Sequence, residues 1–374
     1  MQLGSGSLIF ATTPGLASCT NESDSREAWR SLDTGYADAR LQALAWGILA
    51  PSPHNRQPWL VHLEDDPNVL SVYADPDRFL PQTDPFHRQI AVGLGAFVET
   101  VAIGASVESR AVTVDVLPEG ANDVRLDDRP VARIRLEAGG TAPRDPLADF
   151  VATRRTHRTK FDSRAVPTGT LGRIGAEAGA AWGSTSEDSK VGALRKIALT
   201  AWHVETHTPR THGESVNLTR IGRAEIAANP DGISLGGPAI GALNAAGIMT
   251  RDKLGRSGTR AFRLSHDFYA DAIESAPTFG WLSSGTGGRA AQIAAGRAWM
   301  RLHLAATREG VAFHPLSQAL QEFPEMSDIF ARLHDTLGVQ SPARIQGLFR
   351  LGYAKTPPPA PRWPLKTRLV EDRP

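Results

Sequence analysis

Cysteine is almost absent from this chain of 374 residues, in which Cys19 is the single example. One cysteine cannot form a disulfide within the chain, and it cannot supply a cluster of thiolate ligands to a metal. A fold held by internal disulfides and a cysteine-based metal centre are therefore both excluded.

The chain also lacks a charge excess of either sign and a long apolar run. Its 41 basic and 40 acidic residues show none of the basic excess that is typical of proteins that bind nucleic acid. Outside the N-terminal leader, no segment approaches the ~20 apolar residues of a membrane span. We therefore expect no nucleic-acid partner and no transmembrane span. The apolar fraction of 41% is ample for two domains, or for one compact body built from two repeats.

The leader, residues 1–33, admits two interpretations. Its apolar run, residues 8–11, is followed by Leu16-Ala17-Ser18-Cys19, which resembles a bacterial lipobox with a lipidated cysteine. No Lys or Arg precedes the apolar run, although a secretory signal normally begins with one. The alternative is a leader whose cysteine is incidental. We favour export, with a lipid anchor at Cys19 and a periplasmic or membrane-anchored location; without export the chain would be cytoplasmic.

The most informative segment reads Ala-Pro-Ser-Pro-His-Asn-Arg-Gln-Pro-Trp and covers residues 50–59. It follows a helix, indicated by apolar residues at helical spacing, and precedes a strand. Its first two prolines stop the helix and fix an extended turn. The neutral amide and imidazole groups of such a rigid loop suit a flat heteroaromatic ring with donors and acceptors on its edge. A plain helix stop is the simpler interpretation, but the full string is much rarer than one Pro-Ser-Pro.

This string resembles the flavin-contacting loop of the nitroreductase family, Ala-Pro-Ser-x-x-Asn-x-Gln-Pro-Trp. Residues 154–158, Arg-Arg-Thr-His-Arg, resemble the family's opening motif, and residues 349–354 with 361–365 resemble its closing strand and basic tail. The resemblance implies an α+β fold, a three-layer sandwich that is normally a homodimer. It also implies FMN at the subunit interface, between the loop of one subunit and the arginine motif of the other.

The order of these motifs differs from that of an ordinary family member, because here the loop precedes the arginine motif. An internal repeat accounts for the order: Gln-Ile-Ala-Val-Gly at 89–93 and Gln-Ile-Ala-Ala-Gly at 292–296 each open a long apolar helix. We predict two degenerate nitroreductase-like halves in one chain, residues 34–144 and 145–356, with a Pro-rich strap at 357–374. One composite pocket keeps both contributors and the other keeps neither. The chain should therefore hold one FMN, as a monomer that mimics the family dimer.

The second half contains a polar stretch of weak periodicity, residues 205–262. It includes two turn signals, Asn-Pro-Asp-Gly at 229–232 and Gly-Gly-Pro at 236–238. A long irregular stretch in a compact fold is often a lid. We expect this one to be irregular and to cover the flavin.

The resemblance also implies which residues would hold FMN. Arginine suits phosphate because its hydrogen bonds are charge-assisted and bidentate, although a solvated helix end would also favour cations. Arg154, Arg158 and Arg362 are expected at the phosphate and ribityl chain, and the 315–316 segment is expected to bring backbone amides to the reactive ring edge. The full expected set is Pro51, Ser52, Pro53, Asn55, Gln57, Arg154, Arg155, Thr156, Arg158, Pro315, Leu316 and Arg362.

The expected function is ping-pong reduction of a nitroaromatic or quinone-like acceptor by NAD(P)H. Because the flavin carries the electrons, no protein nucleophile or acid–base pair is required, and we expect no catalytic side chain. A lid that sealed the ring would instead make the chain an FMN-sequestering protein with little or no reductase activity. A structural protein with a dead flavin pocket is a third hypothesis.

Two further patterns have simpler interpretations. His203, Glu205, His207 and His212 resemble a metal cluster, since two histidines at i and i+4 share a helix face. No third ligand follows at a fixed spacing, so we expect surface histidines and no metal. The glycine-rich residues 283–289 lack the spacing of a phosphate-binding loop, so we expect a flexible connection.

Overall fold

The computed structural model describes residues 25–30, 32, 35–137, 139–178 and 181–372. Cys19 and the apolar run before it lie outside the described residues. The described part of the leader packs against the body, since Trp29 and Leu32 belong to the main hydrophobic core. These residues of the leader are therefore part of the folded body.

Twelve α-helices and eleven strands are found among the described residues, together with several short 3-10 turns. In chain order, the first part contains α1 (Ala39–Gly47), β1 (Trp59–Leu63), β2 (Val69–Ala74), α2 (Arg88–Val107), β3 (Val112–Val116), β4 (Ala132–Leu136) and α3 (Ala148–Val151). The middle contains α4 (Thr168–Gly175), β5 (Trp182–Thr185), α5 (Asp188–His207), α6 (Pro209–Asn217), β6 (Thr219–Ile221), α7 (Gly222–Ala228), β7 (Ile233–Leu235), α8 (Pro238–Ala245), α9 (Arg251–Gly255) and α10 (Arg260–Glu274). The last part contains β8 (Thr278–Ser284), α11 (Arg289–Arg308), β9 (Ala312–Pro315), α12 (Ser327–Leu337), β10 (Arg344–Gly352) and β11 (Leu369–Val370).

Two sheets flank a central pair of helices. The first sheet has the order β11-β1-β2-β4-β3, and the second has the order β5-β8-β10-β9. Helices α2 and α11 pack against each other, and they share one hydrophobic core with inward-facing residues of both sheets. A second core lies on the other side of the second sheet, under α5 and α12. This arrangement confirms the predicted α+β class.

The backbones of α2 and α11 approach closely at two glycines. A Cβ on Gly95 would overlap the Ile293 carbonyl oxygen, and a Cβ on Gly296 would overlap the Val92 carbonyl oxygen. Only glycine permits such an approach. The two helices that the paired sequence strings predict therefore lie face to face at the centre of the molecule.

Helix α2 differs from one expectation. Among the described residues, it is the one helix with the length and mean hydropathy (1.9) of a membrane span, although the sequence suggests no such run. However, 89% of its apolar window is buried inside the fold. The apolar residues of α2 thus serve the protein core.

The C-terminal tail connects the two sheets. After β10, in the second sheet, the chain runs without helix or strand to a short helical turn at Leu365–Arg368. Strand β11 then pairs in parallel with β1, with Val61 opposite Leu369. The tail passes the loop at residues 50–59 on its way.

The expectation of an irregular stretch at 205–262 is wrong. This part of the chain forms the end of α5, helices α6 to α9 and the start of α10, together with a two-stranded parallel sheet of β6 and β7. It has a small core of its own, which includes Val216, Ile221, Met249 and Leu254. Each helix between α5 and α10 has at most nine residues, which is too short to show a clear apolar period. Their stability comes from packing, which the sequence pattern does not show.

Candidate functional site

The loop between α1 and β1 is held in a constrained conformation. His54, Asn55 and Gln57 have φ values of 46°, 52° and 52°, in the left-handed region, which costs a non-glycine residue about 1–3 kcal/mol. The Ser52 hydroxyl accepts a hydrogen bond from the backbone amide of Gln57 at 2.9 Å. The loop also packs on α2, where a Cβ on Gly93 would lie 3.1 Å from a ring carbon of the following proline of the loop, residue 53. Strained backbone of this kind is common at functional sites.

The C-terminal tail holds one side of this loop in place through hydrogen bonds. Arg362 donates to Oδ1 of Asn55 at 2.7 Å and to the carbonyl oxygens of Leu49 and Ala50 at 3.1 and 3.0 Å. Asn55 returns a hydrogen bond to the Pro361 carbonyl at 3.1 Å. Most of the hydrogen-bonding capacity of Asn55 and Arg362 is therefore used to build the loop. The Nε of Arg362 is buried without a partner.

The arginine motif reaches the same loop. Arg154 is 2% exposed, and it donates to the Leu49 carbonyl at 2.9 Å. Its NH1 lies 3.4 Å from Nδ1 of His303, whose Nε2 lies 2.9 Å from the Arg155 carbonyl. Nε2 therefore carries the proton, and Nδ1 faces the guanidinium. Burial, and then the charge of Arg154, hold the pKa of His303 well below its usual range. Loop, arginine motif and tail thus converge near one backbone carbonyl.

Four arginines collect here without acidic partners. Among the described residues, no carboxylate lies within 4.0 Å of the guanidinium of Arg154, Arg155, Arg158 or Arg362. The Nε atoms of all but Arg158 are buried and make no hydrogen bond. Burial, followed by the charge of Arg155, lowers the pKa of Arg154 to about 9. Burial, followed by the charges of the other three, holds the pKa of Arg362 well below its usual range. Such a cluster is unfavourable by itself and is suited to an anion.

Trp29 lies against three of these arginines and was not expected from the sequence. The guanidinium carbons of Arg154, Arg155 and Arg362 lie 5.6, 4.7 and 5.0 Å from its ring centroid, within the range of cation–π attraction. Its Nε1 donates to the Ala360 carbonyl at 2.8 Å. A tryptophan among the charged and polar residues 20–31 was the available signal.

Arg158 occupies a different position from the other three. Its side chain reaches solvent, and desolvation by the surrounding protein nevertheless lowers its pKa. It faces Tyr269, whose pKa burial raises to about 12. Burial, followed by the charges of Arg158 and Arg56, lowers the pKa of His54 to about 4. His54 Nε2 lies 3.4 Å from the Ser215 hydroxyl. Arg158 therefore brings an unpaired cation, among the described residues, close to neutral hydrogen-bonding groups.

Arg350 positions the arginine motif, and sequence reasoning missed this role. It is fully buried, and it donates to Nδ1 of His314 at 2.8 Å and to the Ala272 carbonyl at 2.7 Å. Its NH2 donates to the carbonyls of His157 and Thr159, at 2.9 and 2.8 Å. The available signal was an arginine inside the otherwise apolar closing strand. Arg350 thereby ties the segment of the motif to β9 and α10.

The remaining expected residues divide into two groups. Thr156 is half-buried and forms a parallel bridge to Phe313, at the edge of β9, so it lies beside the arginines. The expectation that residues 315 and 316 supply backbone amides is not met. Pro315 has no N–H, and the Leu316 amide already donates to the Leu348 carbonyl at 2.8 Å. The Leu316 side chain is buried in the second core.

The segment between α5 and α10 docks on the other side of the loop. Asp231 is 4% exposed and accepts hydrogen bonds from Arg56, Arg78 and Arg220 at 2.9, 3.0 and 2.9 Å. Gln57 adds a further link, because its Nε2 donates to the carbonyl of residue 230 at 2.8 Å. Its Oε1 accepts from the backbone amide of residue 363, in the tail, at 2.9 Å. The loop is thus enclosed between the tail and this segment.

The four residues of the suspected metal cluster separate in the structure. Glu205 turns inward and accepts from Gln321 at 2.9 Å, and burial raises its pKa to about 7. His212 faces a backbone carbonyl at 2.9 Å. His203 and His207 remain exposed on the outer face of α5.

Comparison with known proteins identifies a family, and the matched residues include the arginine motif and most of the closing strand segment but not the 50–59 loop. The family model described as "Nitroreductase family" matches residues 151–353, which is more than half of the chain. Two Mycobacterium tuberculosis proteins named as candidate NAD(P)H nitroreductases are similar to it. One, Rv3131, is 26% identical over 156 residues, which cover 40% of this chain and 42% of that protein. The other, acg, is 27% identical over 124 residues, which cover 33% and 36%. The chain therefore spans less than half the length of these relatives.

Solved structures give weaker matches. The FMN-dependent nitroreductase NfnB from Mycobacterium smegmatis, in complex with NADPH, is 20% identical, with a TM-score of 0.35 and coverage of 61% of this chain and 98% of that chain. A nitroreductase with bound FMN from Bacteroides fragilis is 17% identical, with a TM-score of 0.34 and coverage of 56% and 89%.

Proposed function

The chain belongs to the nitroreductase family, and we propose that it binds FMN and uses NAD(P)H to reduce a small-molecule acceptor. The observation that carries this proposal is the convergence of Arg154, Arg155, Arg158 and Arg362 beside the 50–59 loop, with no carboxylate within salt-bridge distance among the described residues. Such an arrangement is costly unless an anion compensates it.

The donor set fits the phosphate of FMN. A phosphate monoester carries about two negative charges and three acceptor oxygens, which matches clustered guanidinium groups with unused N–H donors. Arg158 is the accessible member and would make direct contact. Arg154, Arg155 and Arg362 keep buried Nε atoms without partners, and they would contribute a positive field, with Trp29 covering their other face.

The loop fits the flavin ring. Pro51, Ser52 and Pro53 are half-buried, on a backbone that the tail and α2 hold in one conformation. Rigid half-buried groups of this kind hold a flat ligand without an ordering cost. The low pKa of His54 keeps its ring uncharged at neutral pH, which suits a ring edge with both donors and acceptors. When bound, FMN supplies the hydride and electron transfer, and the residues around it orient substrates and limit access of water.

We propose a single composite site in a monomer. The loop follows α1, and the arginine motif precedes α4. Arg154 of the motif donates a hydrogen bond to the carbonyl of Leu49, directly before the loop. At the position where a second loop would stand, residues 182–185 form β5, an edge strand of the second sheet. One chain can thus provide the two contributions that two subunits provide in a dimer, and the second site has no loop.

Anaerobic titration tests the proposal. The purified protein should be yellow, with one FMN per chain, and NADPH or NADH should bleach the flavin absorbance at about 450 nm. Addition of a nitroaromatic or quinone should restore the band. Protein that neither retains FMN nor rebinds it after reconstitution would contradict the proposal.

The second candidate function is sequestration of FMN. The observation in its favour is the buried Asp231, which binds Arg56 of the loop and the neighbouring Arg78, so that the segment between α5 and α10 covers one side of the loop. In that case FMN would be bound and dithionite would reduce it, while both nicotinamide nucleotides would fail to do so. The same titration therefore separates the two functions.

A further inference from the structure

Three histidines converge where α5 ends and α10 begins. His203 and His207 lie one turn apart on α5, with ring centroids 3.8 Å apart, and His266 lies on α10. One ring nitrogen from each lies within 4.8 Å of those of the other two. The sequence supplied only the pair on α5, because the third histidine follows 59 positions later in the chain, on another helix.

In two of the three rings, Nδ1 already contacts an oxygen acceptor, as in many metal-binding histidines. Nδ1 of His207 lies 2.9 Å from the His203 carbonyl oxygen, and Nδ1 of His266 lies 3.2 Å from a carboxylate oxygen of Asp267. These contacts leave Nε2 of each ring free. Nε2 of His266 is moreover buried without a hydrogen-bond partner. In metal sites, one ring nitrogen binds the metal while the other donates to a carbonyl or carboxylate in this way.

We propose that His203, His207 and His266 bind a zinc ion. Neutral imidazole favours Zn²⁺ and its neighbours in the transition series over Mg²⁺ or Ca²⁺, which require oxygen ligands. Tetrahedral zinc with Zn–N bonds of about 2.0–2.1 Å needs its ligand nitrogens about 3.4 Å apart. Small side-chain rotations achieve this, because His203 and His207 are exposed and His266 is half-buried. Water would take the fourth position.

The position of the site suggests what the ion does. Residues 208–259 connect α5 to α10. The three histidines lie on these two helices, near the points where the connecting segment begins and ends. The same segment carries Asp231 and Pro230, which contact the 50–59 loop. A metal that binds only when α5 and α10 bring the three histidines together stabilises the docked segment by mass action. Zinc would therefore fasten the segment that covers the loop.

Metal binding to the full chain tests the site. The protein, with any affinity tag removed and stripped with EDTA, is titrated with ZnCl₂ in competition with a chromophoric chelator, and with CoCl₂ to record ligand-field bands. We expect one saturable ion per chain and tetrahedral cobalt bands. His203→Gln and His266→Gln should each weaken binding by at least about 10- to 100-fold. His62→Gln, which changes a histidine on β1, should bind as the wild type does.

Two controls keep the result interpretable. The melting temperatures of the variants and the wild type should agree in EDTA, which excludes unfolding as the cause of lost binding. Zinc should slow tryptic cleavage within residues 208–259 in the wild type but not in His266→Gln. Absence of saturable binding, or equal binding by the wild type and both variants, would overturn the site. Equal cleavage with and without zinc would overturn its fastening role.

Discussion

Arg362 donates to Oδ1 of Asn55 at 2.7 Å, across 307 positions of sequence. Both residues belong to the set that the family resemblance implies for FMN, but here they bind each other. The guanidinium also satisfies the carbonyls of Leu49 and Ala50, where the chain leaves α1. The tail thus works as a clamp on the loop, and its contribution to cofactor binding is largely indirect.

Arg362→Ala should therefore loosen the loop. Asn55 would lose its charged partner and the Ala50 carbonyl would lose its donor, at a cost of about 2–4 kcal/mol. We expect a lower melting temperature and at least a tenfold loss of FMN affinity, measured by fluorescence quenching of free FMN. Lys366→Ala removes an exposed charge from the same tail and should change neither quantity. An FMN affinity equal to that of the wild type would contradict the clamp.

Arg158→Gln should separate binding from folding. Arg158 is exposed and makes no hydrogen bond or ion pair among the described residues, so its loss should leave the melting temperature of the apoprotein unchanged. A charge-assisted hydrogen bond contributes about 1.5–3 kcal/mol, which corresponds to a rise of about 10- to 100-fold in the Kd for FMN. The control is Arg164→Gln, since Arg164 pairs with exposed Asp162 in the same segment. Unchanged FMN affinity would show that Arg158 does not contact the phosphate.

Arg350→Met should destabilise the whole fold. The arginine is completely buried and has four acceptors, among them the carbonyls of His157 and Thr159. Truncation of one side of such a buried charged network costs about 3–5 kcal/mol. The free energy of unfolding in urea measures the loss. Arg332→Met, on the exposed face of α12, should change it by about 0.5 kcal/mol or less.

The parts of the site that consecutive residues form could be predicted from short sequence strings. The 50–59 loop, the arginine motif and the two central helices each show in a short window of residues. The residues that were missed depend on distant partners. Trp29 acquires its role from arginines in two distant segments, the arginine motif and the tail, and Arg350 from carbonyls about 190 positions earlier.

The helices between α5 and α10 were missed for a different physical reason. They are short, and they are stabilised by packing around Val216, Ile221 and Leu254 and not by strong periodicity. His266 could not be assigned to the histidine pair on α5, because helix packing and not sequence spacing brings it there.

The buried histidines predict how stability depends on pH. The folded-state pKa of His54 is lowered to about 4, while an unfolded chain titrates at its ordinary value of about 6.5. Between these values the unfolded state binds more protons. The contribution of His54 to stability is therefore complete above pH ~6.5 and is lost as the pH falls toward ~4. At pH 5 the loss amounts to about 1–2 kcal/mol.

His54→Gln should reduce this dependence. The difference between the wild type and the variant at pH 8 measures every effect other than titration, so the change of that difference between pH 8 and pH 5 isolates the proton. Urea unfolding at the two pH values gives both quantities. Parallel stability curves for the two proteins would show that His54 titrates normally in the folded state.

Asp231 offers the most direct choice between turnover and sequestration. Its carboxylate holds Arg56 and Arg78, beside the loop, together with Arg220 of the docked segment. In Asp231→Asn the shape is kept and the charge is lost, which leaves Arg56 and Arg220 without a carboxylate partner among the described residues, while Arg78 keeps Asp75, so the segment should undock more often. If the segment limits access to the flavin, reduction by NADPH should become at least several-fold faster, while one FMN stays bound per chain. Asp252→Asn, on an exposed helix of the same segment, is the matched control.

Equal rates of reduction in the wild type and Asp231→Asn would show that the docked segment does not gate access to the flavin ring. Fast reduction in both would then favour the reductase, and no reduction in either would favour a flavin that is sealed by other parts of the fold.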